Sequence, residues 1–185
     1  MASLPNAQGV TYEEWLRMPV VEDAIEEVVD GEIRIMPANK WTHAEIVQNL
    51  SDSFSDQLNR KDVRVVIANF GLIISTVPLN SRVPDLAIFR RATMVIEDGD
   101  IHSPPQLLVE LLSPSNRPYK LERLLADYAK FGVPELWLLS YPQRSVDVRL
   151  LEDGELRRAA VHTEGILKPT QFPNVQIDIA QIWPD

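Results

Sequence analysis

Residues Leu107-Leu108-Val109-Glu110-Leu111-Leu112 are apolar on both faces of a strand and carry a single charge. A strand that is hydrophobic at consecutive positions, and so on both faces, must be covered on both sides. That places it inside a sheet flanked by helices, an α/β fold or, on a looser definition, α+β. Val83-Pro84-Asp85-Leu86-Ala87-Ile88-Phe89 repeats the pattern, with Asp85 as its one charge. A lone buried carboxylate is expensive, so each must be protonated, paired with a cation or bound to a metal. Two of them on neighbouring strands repel, and a divalent cation between them removes that cost. Oxygen donors in a chain without cysteine favour Mg²⁺ or Mn²⁺. The competing reading is structural: Asp85 and Glu110 lie near strand ends and meet Arg82, Arg90 or Arg117 in ion pairs.

Turn and cap residues divide the rest of the chain. Thr11 caps a short helix reaching Met18. Asp30-Gly31, between β-branched runs, marks a hairpin within Glu26–Met36. Thr42 and Glu45 form a capping box for a helix over Thr42–Asn59, with His43, Val47, Leu50, Phe54 and Leu58 on its buried stripe. Strands are expected at Val63–Ala68, Gly71–Thr76, Val83–Phe89, Leu107–Leu112 and Glu135–Leu139. A hairpin is expected around Asp153-Gly154, and a last strand at Val175–Ile179. A second helix, Asn116–Phe131, carries Leu121, Leu124, Leu125 and Tyr128 on one face and ends at Gly132. Because it joins two strands, those strands form a parallel pair inside a mixed sheet. The chain's 185 residues fit one domain, 1–185.

Composition narrows the function. A net charge of −9 argues against a constitutive, non-specific nucleic-acid coat, which needs a basic face. The absence of cysteine excludes thiolate nucleophiles and Cys-ligated metal centres. Met1 to Val10 contain no export signal, and the apolar runs are strand-sized, so no membrane association and a cytoplasmic location are expected. No phosphate-binding loop, dinucleotide fingerprint or nucleophile elbow occurs, so Ser113-Pro114-Ser115 is expected to end a strand.

Three segments, taken in order, resemble a known family. They are Val83-Pro84-Asp85-Leu86, Leu108-Val109-Glu110-Leu111-Leu112-Ser113-Pro114-Ser115, and Tyr128-Ala129-Lys130-Phe131-Gly132-Val133-Pro134-Glu135-Leu136-Trp137. Together they look like the Uma-two family of putative restriction endonucleases, abundant in cyanobacteria and part of the PD-(D/E)XK nuclease superfamily. Glu27-Val28-Val29-Asp30-Gly31, Met36-Pro37 and His43 are similar to its N-terminal signature, and Phe172-Pro173 with Ile177-Asp178 to its closing segment. The resemblance implies a restriction-endonuclease-like core with added hairpins, and Mg²⁺- or Mn²⁺-dependent hydrolysis of phosphodiester bonds in nucleic acid. It implies that Asp85 and Glu110 hold the metal and that Glu27 adds a ligand directly or through water. The metal would activate a water, and a lysine would orient that water and balance charge.

The chain departs from the pattern at that lysine. Leu112 stands at the usual position, as is common in the family, and Leu124 stands where the family's relocated lysine falls. Lys120 shares a helix face with Leu124 and is the candidate substitute, with Arg123 the other; the alternative is that both are solvated surface charges. These departures raise a second reading, a catalytically impaired nuclease fold that binds nucleic acid or protein. His43 is either a core or capping histidine or, by the resemblance, a residue at the rim of the site. Residues 1–38 carry a net of −6 and residues 114–132 a net of +2. DNA contact, weak and salt-sensitive, is therefore expected along the second helix, with Arg117 and Arg123, and around Arg82, Arg90 and Arg91. A homodimer follows by analogy with restriction-type enzymes only.

Overall fold

In the computed structural model, which describes residues 9–19, 24–36, 39–67, 70–112 and 118–184, the apolar runs become neighbouring strands of one sheet. In chain order the elements are α1 (Tyr12–Trp15), β1 (Ile25–Val29), β2 (Glu32–Met36), α2 (Trp41–Ser55), β3 (Val63–Ile67), β4 (Leu72–Thr76), β5 (Leu79–Arg82) and β6 (Leu86–Arg90). There follow β7 (Ile96–Glu97), β8 (Asp100–Ile101), β9 (Leu107–Leu112), α3 (Pro118–Phe131), β10 (Glu135–Ser140), β11 (Ser145–Glu152), β12 (Glu155–His162), β13 (Ile166–Leu167) and β14 (Ile177–Asp178).

The central sheet has the order β12-β11-β10-β9-β6-β3. β9 and β10 run parallel, Leu136 beside Leu108 and Trp137 beside Val109, because α3 carries the chain back between them. Every other neighbour pair in this sheet is antiparallel. A second sheet has the order β2-β1-β5-β4-β8-β7, and β13 pairs with β14 alone. The fold is mixed α+β, as the sequence predicts.

Alternation decides what each face of the central sheet meets. Leu107 and Val109 of β9, with Leu86 and Ile88 of β6 and Trp137 of β10, pack on the α2 side against Ile46, Leu50 and Phe54. The C-terminal Ile177, Ile179, Ile182 and Trp183 join that core, so these apolar residues are spent inside the chain. Leu108, Ala87, Phe89, Leu136 and Leu138 face the other way and meet Tyr128 and Ala129 of α3 and Leu72 of β4. Each fully buried Leu or Phe contributes about 1.5–3 kcal/mol, so the register is fixed strongly on both faces. The same parity sends Glu110 to the α3 side.

Several boundaries differ from the sequence reading. α2 begins at Trp41 with Lys40 at its N-cap and no side-chain cap, so Thr42 lies inside the helix and the expected Thr42–Glu45 box does not form. The box forms instead at Thr11 and Glu14 on α1. The strand expected over Val83–Phe89 starts at Leu86, and Leu79–Arg82 is a separate strand of the second sheet. Pro84 has no N–H to give a ladder, which ends pairing before Leu86. β7 and β8 form a hairpin around Asp98-Gly99 that the sequence reading did not separate. No described helix is long and apolar enough to cross a membrane.

Candidate active site

Asp85 stands at the end of the β6–β9 ladder, whose last pair is Leu86 with Val109. Where the β6 backbone gives out, the side chain takes over: the Leu111 N–H of β9 donates to Asp85 Oδ2 at 2.7 Å. The other oxygen, Oδ1, lies 2.7 Å from His43 Nε2. His43 comes from the first turn of α2, where the helix dipole favours a carboxylate. The two side chains are mostly buried, 20% and 13% exposed.

Glu110, the residue that follows Val109 of the last ladder pair along β9, points toward α3. The Tyr128 hydroxyl, fully buried, donates to its Oε1. Burial pushes the Glu110 carboxyl well above the ordinary carboxylate range, and the Asp85 charge pushes it further. Glu27 adds to the rise, while the Tyr128 hydrogen bond and the Arg82 charge oppose it. Tyr128 is raised in turn, first by burial and then by the Glu110 carboxylate beside it.

A second polar cluster adjoins the first. Glu27 of β1 accepts from the Val83 N–H and from Arg82 Nη1, each at 3.1 Å. Arg82, only 6% exposed, also gives Nε to Asp127 Oδ2 at 3.1 Å and Nη2 to the same oxygen at 2.5 Å. Asp127 Oδ1 accepts from Asn80 Nδ2 at 2.9 Å and Arg123 Nε at 3.0 Å. Arg123 Nη2 reaches Asp30 Oδ1 at 2.5 Å. Burial alone would pull the Arg82 guanidinium down, but Glu27 and Asp127 outweigh it and the net direction is up.

The structure thus brings together four of the sequence-derived site residues: Asp85, Glu110, His43 and, one layer away, Glu27. Among the described residues, the ion pairs expected between Asp85 or Glu110 and an arginine do not form. Arg82 is bound to Glu27 and Asp127, and Arg90 lies at the far end of β6. Because Arg82 is buried, it is not a surface for DNA. Arg123 is held by Asp127 and Asp30. Lys120 is exposed on α3, two turns before Tyr128 and on its face, with Leu124 between them. Arg117 lies outside the described residues. Sequence reasoning missed the Tyr128 hydroxyl and the buried Asp127. Tyr128 reads as one more apolar position of a helical stripe, and nothing local distinguishes Asp127 from an exposed helical acid.

The donor set fits a hard divalent cation. Among the described residues no group of three or more His, Asp or Glu side chains converges on one point. Two oxygen-donor carboxylates do lie near enough for the Asp85 charge to act on Glu110, and Mg²⁺ is commonly held by one or two carboxylates, with waters and substrate phosphate in the remaining positions.

The chain matches the model of the Uma2 (Uma-two) family, described as putative restriction endonuclease, over residues 12–180. It is also similar to the crystal structure of a putative nuclease belonging to DUF820 from Anabaena variabilis ATCC 29413. The TM-score is 0.75 at 19% identity, over 94% of this chain and 97% of that one. No curated protein matches the chain. With most of its length, from the first helix to the last strand, covered by the family model, the chain is a member of the Uma2 restriction-endonuclease family.

Proposed function

We propose that this chain is a single-domain, metal-dependent nuclease that hydrolyses phosphodiester bonds of nucleic acid, with DNA the favoured substrate. The observation that carries the proposal is the pair Asp85 and Glu110, two mostly buried carboxylates that lack any Lys or Arg in contact among the described residues, with burial and then the Asp85 charge raising the proton affinity of Glu110. Restriction-endonuclease-like proteins generally use divalent metal ions, and Asp85 and Glu110 would hold one here, Mg²⁺ or Mn²⁺. When bound, such an ion supplies Lewis acidity toward water and the scissile phosphate.

The chain's own residues do the positioning. His43 and the Leu111 N–H fix the Asp85 carboxylate from two sides, and Tyr128 fixes that of Glu110. Glu27 pins the Val83 N–H, and so the turn that delivers Asp85. Lys120 is the candidate for the missing lysine; from its exposed position on α3 its stem would have to extend past Leu124 to serve the site.

Leucine at both lysine positions, Leu112 and Leu124, supports a second reading, an impaired nuclease fold acting as a binding module. Calorimetric titration of Mn²⁺ into the parent, Asp85→Asn and Glu110→Gln separates the two when paired with a cleavage assay on plasmid and single-stranded DNA. Metal binding lost in both variants, with cleavage lost alongside, is the expected result. A parent that binds no metal at millimolar concentration and cuts nothing leaves the second reading.

A further inference from the structure

Most arginines of this acidic chain are matched to carboxylates: Arg17, Arg34, Arg82, Arg123, Arg149, Arg157 and Arg158 all form ion pairs. Arg60, Arg64 and Arg91 do not, among the described residues, and all three are exposed. They arrive from three places: the turn after α2, the edge strand β3, and the residue after β6. They line one cleft of about 160 Å³ together with Ser55, Leu58 and Val65, and no carboxylate lines it.

The cleft is built rather than accidental. Arg91 Nε donates to the Arg60 carbonyl at 2.9 Å, which fixes the guanidinium at the wall and leaves its two Nη groups without a partner among the described residues. The Arg91 N–H donates to the Asp62 carbonyl at 2.9 Å. Asp62, the nearest acid in sequence, is engaged by Asn59 Nδ2 at 2.8 Å. Lys61 and Arg90 extend the positive surface, Arg90 lying 5.3 Å from the Phe172 ring centre. Clustered guanidiniums with free forks are receptors for phosphate-type anions.

Position relates the cleft to the carboxylate pair. β3 and β6 pair from Val63 with Arg90 to Ile67 with Leu86, so the arginines sit at one end of β6 and Asp85 at the other. Five strand residues span about 16 Å. That is about five nucleotide steps at roughly 3.4 Å each along one strand. Leu58, Val63 and Val65 place the cleft on the α2 side at the edge of the sheet, and Arg64, which alternates with them on β3, is the position shared with the α3 side that Glu110 faces.

We propose that Arg60, Arg64 and Arg91 form a backbone anchor that grips nucleic-acid phosphates away from the Asp85–Glu110 pair; the identity of the ligand rests on the nuclease reading above. The test is anisotropy of labelled duplex and single-stranded DNA with the metal-free full chain, in chelator, over a salt series. Arg60→Gln/Arg64→Gln/Arg91→Gln is expected to lower affinity at least about tenfold and to flatten the log–log salt slope by about 2–3, since each lost phosphate contact removes about 0.9. Arg17→Gln/Arg144→Gln/Arg157→Gln changes the net charge equally and should keep the slope.

A parent without salt-dependent binding overturns the anchor. So does an anchor variant that binds like the parent, or a control variant that weakens as much. Displacement of DNA by inorganic phosphate at matched phosphate concentration also overturns it, by assigning the cleft to a free anion. Unfolding midpoints show whether the triple variant is intact; if it is not, the single variants Arg60→Gln and Arg64→Gln are read the same way. A parent that binds through these arginines yet never cleaves removes the nuclease reading and leaves the anchor. Cleavage abolished by Asp85→Asn, with undiminished binding in the anchor variant, does the reverse.

Discussion

Two polar clusters sit side by side beneath α3, and they balance charge in opposite ways. Around Arg82, the acids Glu27 and Asp127 meet a buried guanidinium, and Arg123 closes the outer side against Asp127 and Asp30. Around Glu110, Asp85 is a second acid and no Lys or Arg touches either group among the described residues. The first cluster is complete with the protein's own charges. The second carries more negative charge than its environment offsets, and folding has kept it so although Arg82 is close enough to influence Glu110. A self-neutralised cluster is what a fold uses to hold elements together. An unneutralised one is a cost that something outside the chain must relieve.

The comparison breaks most visibly at Arg82. Arg82→Met leaves Glu27 and Asp127 buried without their cation, and loss of one partner from a buried pair costs about 3–5 kcal/mol. Urea unfolding should show that loss, with Val83 and the Asp85 turn released at the same time because Glu27 pins them. Replacing a member of the other cluster should not behave this way. A loss below about 1 kcal/mol for Arg82→Met would remove the structural role given to the first cluster.

The next effect in size belongs to the outside cation. Mn²⁺ at one hundred times its dissociation constant stabilises the folded chain by about 2.7 kcal/mol. For a chain of this length that raises the unfolding midpoint by about 5–10 °C. The shift should vanish in Asp85→Asn and Glu110→Gln and persist in Arg123→Gln, whose guanidinium serves the other cluster. A shift that survives both carboxylate variants would place the cation elsewhere.

How much of this the sequence carries depends on the range of the signal. The two-faced strands were legible because burial on both sides leaves a local record in Leu107–Leu112 and Val83–Phe89. Asp85 and Glu110 stood out against that background for the same reason. Tyr128 and Asp127 did not, because their roles are set by partners 18 and 45 residues away. Turns show the same limit. Asp30-Gly31 and Asp153-Gly154 read identically, and both glycines have positive φ. Yet a Cβ on Gly154 meets open space, whereas one on Gly31 would stand 2.6 Å from the Gly9 Cα. The local conformation was legible; the neighbour that makes one glycine irreplaceable was not. The Thr42 box failed at the same boundary, since S/T-x-x-E cannot say which residue the chain enters the helix from.

The smallest expected effect is also the sharpest test of the comparison, because it separates burial from repulsion. Glu110 binds its proton more tightly folded than unfolded. Below the ordinary carboxylate value it is neutral in both states and costs nothing. As pH rises from that value toward the raised one, the metal-free fold is progressively penalised, and above it the penalty is complete. Glu110→Gln should remove that slope and leave the metal-free chain more stable at neutral pH than the parent. Tyr128→Phe should do the opposite. It removes a donor to the carboxylate, costs about 1 kcal/mol, and extends the sensitive window upward, because the Tyr128 bond is one of the two influences holding Glu110 down. Unfolding midpoints against pH in chelator resolve the three profiles. If Tyr128→Phe superimposes on the parent, the phenol is not tied to the carboxylate, and Glu110 is simply a buried acid. If Glu110→Gln keeps the parent's slope, the penalty belongs to another group, and the contrast between the two clusters fails.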